Sequence, residues 1–322
     1  MKKVLICGVS GQDGAYLSKF LLDKNYEVFG GSRDSGSNTF VNHKKLGILG
    51  KIKFISINIC DFRSTLQTLI KIKPDEIYNL SGQSSVGLSF EQPVETFESI
   101  SIGTLNLLEA IRFSGMPIKL YNAGSSECFG ESNGIPANEE TPFKPRSPYA
   151  IAKATAYWQV ANYREAYNLF ACTGILFNHE SPLRASRFVT KKIISTACEI
   201  SRGKDIKLNL GNIDIKRDWG WAPDYVEAMW MMLQIQHPQD FVIATGVTST
   251  LRDFIASSFE ELGLNWEDHV INDPSLLRPT DLMIGSANPQ KAKNILNWES
   301  KFGLKEIIHE MITYQLNINE NL

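Results

Sequence analysis

Between Gly124 and Lys153 the chain places a hydroxyl, a carboxylate, a phenol and an ammonium: Ser125, Glu127, Tyr149 and Lys153. Tyr149 and Lys153 are four residues apart, so on a helix they share a face and the lysine charge can stabilise a tyrosinate. A phenol with an ordinary pKa of about 10 must fall by about three units to work as a base near neutrality, roughly 4 kcal/mol of differential stabilisation. A lysine beside an oxidised nicotinamide has the right sign of charge for this. Ser125, at the end of a strand candidate, is placed to bond the carbonyl oxygen as an alcohol becomes a ketone. Glu127 extends the chemistry. A carboxylate beside an oxidised sugar can remove the proton alpha to the new ketone and, once protonated, help expel a hydroxyl as water. In isolation, the Tyr/Lys pair also suits a packed tyrosine and a surface lysine, and Glu127 also suits a helix cap.

The N-terminal elements favour the chemical reading. Val4-Leu5-Ile6 runs into Gly8-Val9-Ser10-Gly11-Gln12-Asp13-Gly14, and a helix candidate follows with Leu17, Phe20 and Leu21 on one face. Gly8 and Gly11 permit a tight turn whose backbone N–H groups approach a pyrophosphate at a helix N-terminus, while Gly14 lets that helix sit on the sheet. The usual dinucleotide fingerprint has an acid at the end of the second strand, where it binds the ribose and repels a 2′-phosphate. Here Tyr26-Glu27-Val28-Phe29 ends in Gly30-Gly31-Ser32-Arg33, and Arg33 offers charged donors to a phosphate. NADP is therefore expected over NAD, with the adjacent Asp34 as a counter-signal. Asp61, with Phe62 after it, is placed to meet the adenine edge; a strand-end cap is its competing role.

The chain has 322 residues, 43% hydrophobic and 21% charged, a globular composition with length for one large or two moderate domains. Its formal net charge of -2 gives no electrostatic case for nucleic acid or an anionic membrane. Cys7, Cys60, Cys128, Cys172 and Cys198 show no CxxC spacing, so a reducing cytoplasm fits best. No apolar run approaches the roughly 18 residues that span a bilayer. Strand candidates at 4–6, 27–29, 53–57, 76–80, 119–121 and 170–176 alternate with helical patterns at 66–72, 104–113 and 149–167, which predicts a Rossmann-type doubly wound parallel α/β sheet. After about Asn178 the alternation loosens, apart from a helix candidate at 225–233 and a strand at 241–245. The expected division is a dinucleotide domain over 1–177, completed by parts of about 212–248, and a smaller, discontinuous α/β substrate domain over 178–322.

Longer motifs carry a specific resemblance. GVSGQDGAYL at 8–17, PRSPYAIAK at 145–153, GILFNHESP at 174–182, FVTKKI at 188–193 and LGNIDIKRDWG at 210–220 are among them, with DYVEAMWMMLQ at 224–234 and DFVIATG at 240–246. The chain resembles the extended short-chain dehydrogenase/reductase superfamily and, within it, is similar from end to end to the GDP-mannose 4,6-dehydratases. The resemblance implies a redox-neutral cycle: bound NADP takes hydride from sugar C4, water leaves across C5 and C6, and the hydride returns to C6. It implies Ser125, Glu127, Tyr149 and Lys153 as catalytic residues. Around NADP it implies Gly8, Ser10, Gly11, Gln12, Asp13, Gly14, Arg33, Asp61, Phe62, Leu80, Ser81, Gln83, Ser84, Lys153, His179 and Arg184. For the GDP-sugar it implies Ser84, Asn178, Lys192, Arg217 and Arg278 beside the catalytic groups, and no metal; the other histidines form no ligand cluster.

Several positions depart from the family pattern. Ser125 stands where threonine is usual, keeping the hydroxyl but losing a methyl that restrains its rotamer. Ser32-Arg33-Asp34 lacks a second arginine that, in some members, helps build a tetramer. Ser81-Gly82 replaces a small apolar pair, and Arg278-Pro279-Thr280-Asp281 replaces a motif ending in glutamate. These changes leave open a related GDP-sugar such as a manno-heptose, and a GDP-4-keto-6-deoxysugar reductase or epimerase on the same scaffold. Tyr157, Trp158 and Tyr163 on the helix of Tyr149 suggest a homodimer or a dimer of dimers, with burial inside one chain as the competing explanation.

Overall fold

The computed structural model describes residues 1–277 and 279–318. Its first half alternates strand and helix: β1 (Lys3–Cys7), α1 (Gln12–Asp23), β2 (Glu27–Ser32), α2 (Val41–Lys45), β3 (Lys53–Ser56), α3 (Phe62–Ile72) and β4 (Glu76–Asn79). Short helices α4 (Val86–Glu91) and α5 (Pro93–Phe97) lead to α6 (Gly103–Ser114), β5 (Lys119–Ala123), α7 (Pro148–Tyr167) and β6 (Ala171–Leu176). The second half holds β7 (Asn178–Glu180), α8 (Val189–Ser201), β8 (Leu208–Leu210), β9 (Lys216–Trp221), α9 (Ala222–Gln234), β10 (Phe241–Ile243) and β11 (Thr248–Thr250). It ends with α10 (Leu251–Glu260), β12 (Val270–Asn272) and α11 (Leu304–Ile318).

Seven strands form one parallel sheet in the order β10-β6-β5-β4-β1-β2-β3. The order reverses between β1 and β4, so their C-terminal ends open a crevice at the point where ligands enter such sheets. Covered on both faces, β4 and β6 are buried at every position. The smaller lobe has its own core, in which Ile193, Ile194, Trp219, Phe254, Phe259, Ile307 and Met311 pack together. Within 212–248, α9 and β10 return to the large sheet, whereas β9 pairs with β7 and β11 in a separate three-stranded one. The sequence pattern places β2 three residues short of its end, because Gly30 and Gly31 lack the side chains that mark a strand, yet both pair with β1 and β3. Among the described residues, no helix is long and apolar enough to cross a membrane.

Two devices fix the helices that matter most. Gly8 has φ +80°, and a Cβ there would lie 2.6 Å from the Leu80 carbonyl; at Gly14 it would meet the Val9 carbonyl at 2.5 Å. Only glycine lets α1 approach the β1 and β4 ends this closely. Helix α7 begins at Ser147, whose Oγ accepts from the Ala150 N–H at 3.1 Å, followed by Pro148 in the first turn. At its far end Arg164 forms two parallel hydrogen bonds to Asp240, 2.9 and 2.7 Å, and Asp240 also accepts from the Thr173 N–H. The far end of α7 is thereby tied to the sheet, while Ser147 closes its first turn. Ser147→Ala should lower stability by about 1 kcal/mol in chemical denaturation, the usual cost of losing a helix cap; an unchanged midpoint would show that Pro148 and packing alone hold the first turn.

Candidate active site

The C-terminal ends of β4, β5 and β6 and the first turns of α1, α7 and α8 enclose a cleft of about 410 Å³. It brings together Asp13, Leu80, Ser84, Ser125, Glu127, Tyr149, Lys153, Asn178, His179, Arg184, Lys192 and Arg217 from both lobes. Ser125 is the first residue past Gly124 at the end of β5, and its Oγ accepts from the Glu127 N–H at 3.3 Å, starting a 3₁₀ turn over Ser126–Phe129. The cap that turns the chain here also points Glu127 into the cleft. Tyr149 and Lys153, both buried, sit one turn apart on α7.

The expected lysine–tyrosine pairing takes a different form. Lys153 Nζ donates to the Ala123 carbonyl at 2.7 Å and lies 5.9 Å from the centre of the Tyr149 ring. Burial raises the Tyr149 phenol well above its ordinary value, and the hydrogen bond from Ser125 opposes this only in part. Burial also lowers the Lys153 ammonium to about 8. The protein alone therefore holds Tyr149 as a neutral phenol. A positive ring seated against it is what would make it a base.

The glycine turn suits a dinucleotide. Helix α1 is capped by Gly11 with no side-chain hydrogen bond, and an added Cβ at Gly11 would meet only the Gly8 carbonyl, at 3.5 Å. Its first-turn N–H groups face outward for a pyrophosphate. Behind them Asp13 Oδ2 lies 2.9 Å from His179 Nε2, whose Nδ1 is 2.8 Å from the Phe177 carbonyl. Gln12 bonds the Asp13 carboxylate, the His179 carbonyl and, through Oε1, the Ser181 hydroxyl. Arg184 Nε is 3.1 Å from Glu180 Oε2, but at an angle that makes no hydrogen bond, which leaves a buried N–H without an acceptor among the described residues.

Other expected residues take different places. Arg33, 82% exposed, lies outside the cleft with Glu95 at 3.6 Å. Asp34 turns away from it, accepting from the Gly36 and Ser37 N–H groups and the Ser37 hydroxyl. Asp61 Oδ1 caps α3 through the Ser64 N–H, the competing role, with Phe62 opening that helix. Gln83 spends its amide on its own loop, bonding the Ser85 carbonyl and N–H, and neither it nor Ser81 lines the cleft. Arg278 lies outside the described residues. Of the aromatic trio on α7, Tyr157 stacks edge-on against Phe143 at 4.8 Å and Tyr163 bonds Glu109, so internal packing accounts for both; Trp158 remains 62% exposed. Sequence reasoning missed Arg187, Asn209 and Leu276, which also line the cleft, as does Asp281 of the departing Arg278–Asp281 motif. Arg187 and Leu276 lie in segments without periodicity, and Asn209 in the three-residue strand β8, too short to mark itself.

The family profile described as GDP-mannose 4,6 dehydratase matches residues 5–311. The chain belongs to the GDP-mannose 4,6-dehydratase family. It is 46% identical over 329 residues to GDP-mannose 4,6 dehydratase 1 of Arabidopsis thaliana, covering 98% of this chain and 90% of that one. Its identity to the Homo sapiens GDP-mannose 4,6 dehydratase is 44%, over 96% of this chain and 90% of the other. The UDP-glucose 4-epimerase of Thermus thermophilus, solved with NAD, superposes with a TM-score of 0.85 at 25% identity, over 97% and 98% of the two chains. A dTDP-glucose 4,6-dehydratase from Bacillus anthracis shares the fold, with a TM-score of 0.86 over 99% and 98% of the chains at 21% identity.

The Asp13–His179 pair also sets a pH response. Burial raises the Asp13 carboxyl, but the His179 charge and hydrogen bond outweigh it and bring the group down to about 2 from its ordinary 3.8. A lowered carboxyl stabilises the fold above its unfolded value and loses that contribution as pH falls, here between 3.8 and about 2. A carboxyl NMR titration should find Asp13 still ionised at pH 3, with its midpoint at about 2. A midpoint at the ordinary 3.8 would mean that the pair contributes nothing there.

Proposed function

We propose that this cleft converts GDP-mannose to GDP-4-keto-6-deoxymannose, with NADP as the resident dinucleotide. What carries the reading is the meeting of Ser125, Glu127, Tyr149 and Lys153 around one cleft, in a chain whose kinship with GDP-mannose 4,6-dehydratases spans nearly its full length. The nicotinamide, when bound, accepts a hydride from sugar C4 and gives it back to C6, so no net reductant is used. Tyr149 takes the proton of the 4-hydroxyl, and Ser125 holds the same oxygen as it becomes a carbonyl. Lys153, protonated below about 8, keeps a positive charge near the phenol at neutral pH. Glu127 removes the C5 proton, now acidic beside the ketone, and delivers it to the departing C6 hydroxyl as water. One proton must then reach C5, and the proton held by Tyr149 balances the cycle.

The Gly8–Gly14 turn, with Asp13, His179 and Arg184 behind it, is assigned to the pyrophosphate and nicotinamide half of NADP. Arg33, with Ser32 and Asn38 bonded beside it at 3.3 Å, is assigned to the 2′-phosphate. That assignment is helped by Asp34 being occupied in its own turn. Asn178, Lys192, Arg217 and Arg278 are assigned to the GDP-sugar, so the smaller lobe supplies most of the substrate contacts. The exposed face of α7, with Ile151 and Trp158, is assigned to pairing with a second copy.

Glu127→Gln tests the division of labour. It should still oxidise C4, seen as reduced nicotinamide absorbance in a single turnover, while release of water slows by about a hundredfold or more, the scale of a lost general acid–base group. Full turnover by this variant would remove Glu127 from the elimination step.

A further inference from the structure

Arg187 stands apart from the other cations of the cleft. Arg184 lies against Glu180, and Arg217 lies 3.5 Å from Asp281. Lys192 donates to the Asn209 carbonyl, on the side of the cleft formed by the smaller lobe. Arg187, by contrast, reaches across the mouth of the cleft, where its Nη2 donates to the Ser84 hydroxyl at 3.0 Å. Ser84 belongs to the loop after β4, which pairs with β5, the strand that leads to Ser125, so this bond spans the two lobes on the side of the cleft formed by those strand ends. The Phe188 ring sits between two guanidinium groups, with Arg184 at 3.7 Å and Arg187 at 5.1 Å from its centre. Among the described residues, no carboxylate forms an ion pair with Arg187.

We propose that Arg187 binds the sugar-side phosphate of the substrate diphosphate, exchanging the Ser84 hydroxyl for a phosphate oxygen as substrate enters. The inference rests on the reading of the cleft as a GDP-sugar site. A guanidinium held by one neutral hydroxyl gives up little when an anion arrives, and two parallel N–H donors suit a phosphate better than a hydroxyl. Position decides which phosphate. Arg187 meets the wall that carries the catalytic hydroxyl, whereas Lys192 and Arg217 lie towards Asn209 and Asp281, the end left for the nucleoside. The same exchange frees Ser84 for a sugar hydroxyl, so Arg187 makes the site selective for a nucleoside diphosphate over a monophosphate.

Calorimetric titration of the NADP-loaded protein with GDP and with GMP separates the possibilities. Arg187→Ala should weaken GDP by roughly tenfold to a hundredfold, the range for a hydrogen bond to a charged group, while GMP changes by less than about twofold. Arg187→Lys should restore part of the GDP affinity, because charge is kept and the fork is lost. Equal losses for both nucleotides, or no loss for either, would overturn the assignment and leave Arg187 a purely structural link between the lobes. Arg187→Gln, which removes the charge and keeps a shorter hydrogen-bond donor, should behave like the alanine variant towards GDP; parent-like affinity there would also overturn it. Failure of the parent protein to bind GDP would instead defeat the reading of the cleft itself.

Discussion

A single buried ammonium sets the geometry on which the active cleft depends. Lys153 lies under α7 with its Nζ on the carbonyl of Ala123, the last residue of β5. Placing that charge away from water is unfavourable, as its lowered pKa shows, so the contact survives only where helix and strand end are held together by other means. The Arg164–Asp240 pair, with Asp240 also held by the Thr173 N–H of β6, provides that restraint, and the Ser147 cap keeps the first turn of α7 helical. From this one contact follow the heights of Tyr149 and Ser125, since each is fixed to one of the two backbones Lys153 joins. Glu127 follows in turn, because the Ser125 hydroxyl organises the 3₁₀ turn that carries it.

The electrostatics suit the proposed site, which would take a bound cation and bound anions. Burial raises the Tyr149 phenol and lowers the Lys153 ammonium, so both groups sit nearer neutrality than their chemistry requires. A positive ring would reverse the first effect, which couples proton abstraction to the cofactor's oxidised state. The anion sites are built differently. At the glycine turn they would be backbone N–H groups at a helix start without a side-chain cap, with Arg184 nearby beside Glu180; towards the smaller lobe they would be side chains such as Arg217, which lies beside Asp281. Those arginines are positioned before a ligand arrives, which reduces the ordering cost of binding.

Periodicity and glycine spacing made the large sheet legible because a buried parallel strand is a short apolar run between breakers, and β1, β4, β5 and β6 all read that way. The four proposed catalytic residues were legible for a similar reason: Ser125 and Glu127 follow the end of β5, and Tyr149 and Lys153 lie in the first two turns of α7. What sequence could not resolve was how polar groups would be spent. Asp61 and Gln83 have the right residue types, but Asp61 caps α3 and Gln83 closes a local turn, and both roles depend on backbone N–H positions that no spacing reveals. Arg187 is the reverse case. It sits among residues with no periodic signal, and its relation to Ser84, 103 residues away, arises only when two lobes close on one another.

The central claim is an internal hydride cycle in which the hydrogen removed from C4 is the one delivered to C6. Mass spectrometry of the product formed from GDP-mannose carrying deuterium at C4, with no added reductant, tests it directly. The account predicts a product lighter by one water that retains the deuterium, now at C6. A product that has lost the label to solvent, or one that forms only when NADPH is supplied and consumed, would contradict it.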